Sequence, residues 1–396
     1  MKSCPTSGFW KMYHAFSKMT ARKKRRWGLS RREALAALLA GGAFPALSWA
    51  APIQAEVPWL ADVRRSPEAL PPDGPRLRPL LVDDEGTKIT TLPQWQRRRK
   101  TVRRWWLDFL RAIEVDREHA PSLTVLEEDR RDGAIRQRVR YEVELGEATE
   151  AYLLKPMATA GRRPGILAFH STVNHSIRQP AGLEMDKNAE KAFGLALARR
   201  GYVVFCPRNY LWLEDRRFSA DEAVARFRRR HPGSKGMAKM LFDGVVALNI
   251  LASLPDVDPT RLGVVGHSLG GKEALYMAAL DDRVRAAVSS EGGIGTRFSN
   301  WDAPWYLGEA IRRADFRHEH HELLALAAPR AMLFLAGESG LGAVDGARSW
   351  PFVEAAMPVY QLYGGPPRLG LFNHRKGHSV PPEAEQRIYE WLAAYC

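Results

Sequence analysis

Cysteine is scarce in this 396-residue chain, with only Cys4, Cys206 and Cys396. That excludes a disulfide-stapled scaffold, and no cysteine lies in a metal-ligand spacing. Cys206 ends the apolar run Tyr202-Val-Val-Phe-Cys206 and reads as a buried thiol, so a bond to Cys396 is not expected. Acidic residues are also outnumbered, 45 against 59 Lys and Arg, for a net charge of +14. Residues 1–50 hold ten of the basic residues and one acidic residue, Glu33, which leaves 49 against 44 in the rest. The excess therefore belongs mostly to the leader. Two basic runs remain, Arg97 to Arg104 and Arg226 to Arg230. Without interleaved aromatics and glycines they read as solvated helix faces, and no nucleic-acid partner is expected. Long apolar runs, repeats and low-complexity segments are missing as well. The stretch Ala34 to Trp49 is shorter than a helical membrane span and is broken by Gly41-Gly42 and Pro45, so no stable span is expected.

What the leader does contain is export chemistry. Lys23 to Arg26 form a charged region, Ser30-Arg31-Arg32-Glu33-Ala34-Leu35 resembles a twin-arginine motif, and Ser48-Trp49-Ala50 places small residues before a cut. Residues 1–50 are expected to be a signal peptide cleaved near Ala50. The twin-arginine export machinery would then be a partner and the periplasm or the exterior the destination.

After the leader, residues 51 to about 90 are rich in Pro, Asp and Gly and predict irregular structure. From Pro93 to Ile113, Val102, Trp105, Trp106, Phe109, Leu110 and Ile113 recur at helical intervals opposite a basic face. These elements make up an extension over 51–120. A half-solvated strand follows at 135–144, and Gly146 turns it into a hairpin partner at 149–154. Short apolar strands then alternate with helices: 165–170, 202–206, 262–266, 284–289, 331–336 and 369–372, separated by helices near 188–200, 236–253, 269–280, 347–362 and 382–395. The alternation predicts an α/β domain over 121–396, with a mostly parallel central sheet, antiparallel N-terminal strands and helices on both faces. An insertion lies near 292–327.

One turn concentrates the chemistry. The strand Leu262 to Gly266 runs into His267-Ser268-Leu269-Gly270, and helix formers follow at once. This is the strand–turn–helix setting in which G-x-S-x-G presents a nucleophilic serine. Ser268 needs a base, a carboxylate to orient that base, and an oxyanion hole. His378, after Gly377 in the loop before the final helix, is the candidate base, with His374 as the fallback. Glu291, Glu338 and Asp345 follow strands and are the candidate acids; Asp345 could equally cap the next helix. The oxyanion donors are expected to be the backbone N–H of Leu269 and one from Ser171 or Thr172. The segment His318-Glu-His-His321 lacks H-E-x-x-H spacing and reads as structural, so no metal and no cofactor are expected.

Asp258 to Ser268, Leu323 to Arg330 and the Gly377-His378 loop together resemble the α/β-hydrolase superfamily, close to bacterial acetyl xylan esterase and dienelactone hydrolase-like proteins. A narrower similarity is to glucuronoyl esterases. It is carried by Gly266 to Lys272, by Glu291 in a small-residue turn, and by His320-His321-Glu322-Leu323. The resemblance implies an α/β-hydrolase fold and favours Glu291 over Asp345 as the acid. It also implies a substrate-contacting role for Lys272. Leu269 departs from the glucuronoyl pattern, which often has arginine there. Trp301 and Trp305 in the insertion would suit stacking on a sugar, or else core packing.

The function expected from all this is an exported serine carboxylesterase that cleaves a carbohydrate-linked ester, acetyl or glucuronoyl in type, through an acyl-enzyme. A serine peptidase of the prolyl-oligopeptidase kind and a non-catalytic periplasmic binding protein on the same fold are the alternatives.

Overall fold

The computed structural model describes residues 56–72, 74–158, 161–183, 189–213, 217–339 and 346–396. The leader, its cleavage site and Asp345 lie outside the described residues. Ile53 to Cys396 form one compact unit that takes in the 51–120 extension.

The extension contributes helix α1 (Leu92–Leu110), which Gln94 caps by accepting the Thr91 N–H at 3.0 Å. Trp95, Val102, Trp106 and Leu110 fall on one stripe and are buried, so Trp95 and Trp106 are core, whereas Trp105 is only partly buried. Strands β1 (Thr124–Arg131), β2 (Ala134–Glu144) and β3 (Glu147–Pro156) come next. The sequence gives no sign of β1, because it is an edge strand with no buried face and hence no alternation. Its register on β2 is instead held by polar pairs such as Arg136 with Asp129 and Gln137 with Glu128.

The chain then alternates through β4 (Arg163–Phe169), α2 (Phe193–Arg199), β5 (Val203–Pro207), α3 (Ala220–Arg230), α4 (Gly236–Ser253) and β6 (Val257–His267). It continues through α5 (Leu269–Leu280), β7 (Val284–Ser290), α6 (His321–Ala327), β8 (Ala331–Ala336), α7 (Trp350–Gln361), β9 (Leu369–Asn373) and α8 (Pro382–Tyr395). Helix α2 starts later than the predicted 188, since Ala189–Lys191 form a separate 3-10 turn. The nine strands lie in the order β1-β2-β3-β5-β4-β6-β7-β8-β9. Pairing is antiparallel from β1 through the β3–β5 contact and parallel from β5 to β9. One apolar layer packs α1, α4, α5, α6 and α7 on one face of the sheet, and a second packs α2, α8 and Val57 to Val63 on the other. Helix α4 is the one described helix long and apolar enough to cross a membrane, and it is buried between the sheet and its neighbours. Cys206 and Cys396 are free and buried, as expected.

The topology decides where chemistry can sit. Residues that follow the parallel strands collect at their carboxyl ends, which is where a doubly wound sheet opens its crevice.

Candidate active site

The elbow forms at the end of β6. Ser268 has φ 60° and ψ −116°, a strained left-handed conformation held by its N–H donating to the Ser290 carbonyl at 2.8 Å. The turn closes only because its flanks lack side chains. A Cβ on Gly266 would stand 2.3 Å from the Gly270 backbone, and one on Gly270 would stand 2.6 Å from the Phe169 carbonyl oxygen. Leu269 opens α5, so its N–H is one of the unpaired donors at a helix start. Its own side chain is buried in the core.

Next to the elbow, Glu291 follows β7 with a positive φ of 54°, its N–H donating to the Leu335 carbonyl at 2.9 Å. Its carboxylate is fully buried and meets two histidines. His374 Nε2 lies 2.6 Å from Oε1, and His378 Nδ1 lies 3.4 Å from Oε2. The two rings differ in what their other nitrogen does. His374 Nδ1 accepts the Lys376 N–H at 3.1 Å, so its proton sits on Nε2, facing Glu291. His378 turns Nδ1 to the carboxylate, leaves Nε2 available, and is about a third exposed. Its ring stands 4.7 Å from that of His267, the residue before Ser268. Burial, and then the nearby His378, push the His267 pKa well below its ordinary value, so His267 is neutral.

Glu338 does not join this group. Its Oε1 accepts from Asn373 Nδ2 at 2.6 Å and from the Ala347 N–H at 2.9 Å, which ties the β8 and β9 loops together. Gly337, which no motif marks, is needed beside Glu291. A Cβ there would lie 2.4 Å from the Lys376 carbonyl and 3.0 Å from Glu291 Oε1.

The β4 loop narrows the oxyanion question. The Ser171 N–H donates to Gln179 Oε1 at 2.8 Å, so this backbone donor is already committed. Thr172 is exposed at the head of the loop. His170 is buried below it. Its Nε2 accepts the Asn209 N–H at 3.1 Å, which puts the ring proton on Nδ1, 2.8 Å from the Ser171 carbonyl. Burial lowers its pKa to about 4. Gln179 and His170 thus brace the loop, a role no motif announces.

Of the two roles open to the insertion's tryptophans, stacking on a sugar or core packing, Trp301 takes packing. Trp301 is fully buried: its Nε1 donates to the Gly293 carbonyl at 2.7 Å and its ring packs 4.4 Å from that of His320. Trp305 is partly buried against the same core. Trp301 is thus a packing residue of the insertion. Lys272 is buried too. It donates to the Gly292 carbonyl and to Ser299 Oγ (3.0 Å), with Nζ 4.2 Å from the Trp301 ring centroid. Its visible work is to fasten the insertion to the first turn after the nucleophile. The histidine run is structural: His318 stacks on Trp105, His320 bridges Tyr276 and the Ile294 carbonyl, and His321 meets the Arg78 carbonyl.

Comparison with known proteins agrees with this architecture. Residues 149–302 match the dienelactone hydrolase family. The chain is 33% identical over 145 residues to YtaP of Bacillus subtilis, a protein named only as a hydrolase; the match covers 36% of this chain and 48% of that one. It is 26% identical over 167 residues to a 4-O-methyl-glucuronoyl methylesterase of Neurospora crassa, covering 36% and 42%. Carbohydrate esterase MZ0003, from an unknown prokaryotic organism, matches at 22% over 343 residues, 72% of this chain and 78% of that one. The chain thus spans about half the length of the first two of these relatives. Among solved structures, a glucuronoyl esterase of Teredinibacter turnerae aligns with a TM-score of 0.62 at 20% identity, over 80% of this chain and 89% of that one. The fold is that of the α/β hydrolases.

Proposed function

We propose that this α/β-hydrolase chain is a serine carboxylesterase acting on a carbohydrate-linked ester. Ser268 would attack the carbonyl while His378 Nε2 takes its proton and later returns it to the leaving alcohol. Glu291 would hold the resulting imidazolium, and water would then release the acyl group. The observation that carries the reading is the buried Glu291 carboxylate set against His378 Nδ1 beside a strained serine elbow. His378 is favoured over His374, whose Nδ1 accepts the Lys376 N–H and whose Nε2 faces Glu291. The oxyanion would be held by the Leu269 N–H and, with Ser171 committed to Gln179, by a donor at Thr172.

The names of similar proteins favour a uronate ester over an acetyl ester as the first substrate to try. Residues 1–50 would direct export to the periplasm or beyond. Labelling by a fluorophosphonate probe, lost in Ser268→Ala, tests the nucleophile, and a panel of methyl-uronate, acetyl and longer acyl esters tests the substrate. A wild-type protein that neither labels nor turns over any ester rejects the proposal. Retention of the full-length chain in the cytoplasm, unchanged by Arg31→Lys with Arg32→Lys, would reject the export reading.

A further inference from the structure

Beside α1 lies a cleft of about 620 Å³, closed by the residues leading into α4 and by the segment Ala310 to His318. Five cationic side chains line it, Arg78, Arg111, Lys235, Arg313 and Arg317, against one carboxylate, Asp315. That carboxylate is already gripped by Arg313 through two bonds of 2.9 Å. Arg78 reaches Asp84 at 3.8 Å. Arg111, Lys235 and Arg317 make no ion pair with any described residue. Burial and then the like charges of Arg228 and Arg111 lower the Lys235 pKa, so an anion placed there would relieve it. The contrast with α3 is direct, since Arg226 and Arg230 are matched by Glu147 and Glu144 across the sheet edge.

Besides Gly233 and Ala310, the rest of the lining is aromatic: Trp105, Phe109, Phe316 and His318, whose ring already stacks on Trp105. Trp105 stacks on Phe109 with ring centroids 5.2 Å apart, and Phe316 lies 5.3 Å from Phe109. All three rings are only partly buried. Unpaired cations around half-buried rings suit a ligand that has an apolar ring face and a carboxylate at its rim. A continuous stretch of protein joins the cleft to the elbow. The Met237 N–H at the start of α4 donates to the Tyr306 carbonyl, and Tyr306 and Trp301 pack around Lys272, four residues after Ser268.

We propose that this cleft binds an acidic saccharide, with free uronate carboxylates facing Arg111, Lys235 and Arg317 and sugar rings lying on the aromatic lining. Such a site would hold the polymer on which the ester is carried. The choice of a saccharide rests on the carbohydrate-esterase reading; the charge argument does not.

The test uses the full chain with Ser268→Ala, so that binding is read apart from hydrolysis. Titration with a glucuronic-acid-substituted xylo-oligosaccharide is expected to give saturable binding that weakens with salt, and the neutral xylo-oligosaccharide at least about tenfold weaker binding. Arg111→Ala with Lys235→Ala and Arg317→Ala should cost about tenfold or more in affinity for the acidic ligand. In the Ser268 background the same triple change should leave hydrolysis of a small aryl acetate within about twofold. Arg317→Glu alone, at an exposed position, gives a second variant that does not depend on tolerance of three changes. Equal affinity for both saccharides, or undiminished binding by both variants, overturns the proposal. So does tighter binding of inorganic polyphosphate than of the uronate ligand. Binding without any ester hydrolysis would sink the esterase reading and leave the cleft standing; hydrolysis without acidic-saccharide binding would do the reverse.

Discussion

Two buried glutamates flank the nucleophile, and their environments differ in kind. Glu291 meets two histidines, at 2.6 and 3.4 Å. Glu273, one turn into α5, has a single described donor, Asn209 Nδ2 at 3.0 Å, and the like charge of Asp243 nearby. Burial, the larger cause, pushes the Glu273 pKa well above the ordinary carboxylate value. Burial alone therefore does not make a catalytic carboxylate. What sets Glu291 apart is a partner able to share positive charge: two histidines of the loop after β9 face its carboxylate.

Glu291→Gln should break the comparison most severely. Without the charge that stabilises the imidazolium, kcat is expected to fall by about 10³ to 10⁴ while KM changes little; steady-state kinetics on the best ester of the panel reads this. A smaller effect is expected at His374, a positioning residue. His374→Gln should lower kcat by about tenfold with KM little changed, because Glu291 then loses its closer partner. A variant with wild-type kcat would leave His374 a packing residue only. Gly337→Ala asks the same question through space: the added methyl would crowd Glu291 Oε1 and the Lys376 carbonyl, and kcat should fall about tenfold with the secondary structure intact by circular dichroism.

Glu273→Gln is the mildest change, and its readout is stability. A carboxyl whose pKa is raised in the fold stabilises fully below its unfolded pKa, near 4.5, and loses that contribution as pH rises towards the folded value. The variant should therefore have about the same Tm as wild type near pH 4.5 and a higher Tm at pH 8, with kcat within about twofold. A lower Tm at pH 8 would mean that Glu273 is ionised and useful. The buried histidines act in the opposite direction. His170, held near 4, is neutral in the fold, so stability present above about pH 6.5 drains away as pH falls towards 4, by on the order of 3 kcal/mol for this group.

Local pattern determined a good deal of this protein. The ends of α4, α5 and α8 and of β8 were legible because apolar period, glycine and proline change together at those boundaries. The elbow was legible because strand, turn and helix are contiguous, so one short stretch holds every residue its geometry requires. The edge strand β1 was hidden by its lack of a buried face, and the commitment of the Ser171 N–H was hidden because Gln179 belongs to a later turn. The role of Trp301 stayed open for a related reason: a tryptophan carries no mark in the sequence of whether its ring faces a ligand or a lysine beneath it.

Sequence by itself settled the fold class and pointed to Ser268 and a short set of acids and bases that could serve it. Only the tertiary structure showed which of the described candidates meet. Glu291, His374 and His378 come from two loops more than eighty residues apart in the chain, and the pairing of nitrogen with oxygen depends on ring rotation and burial, which spacing does not record.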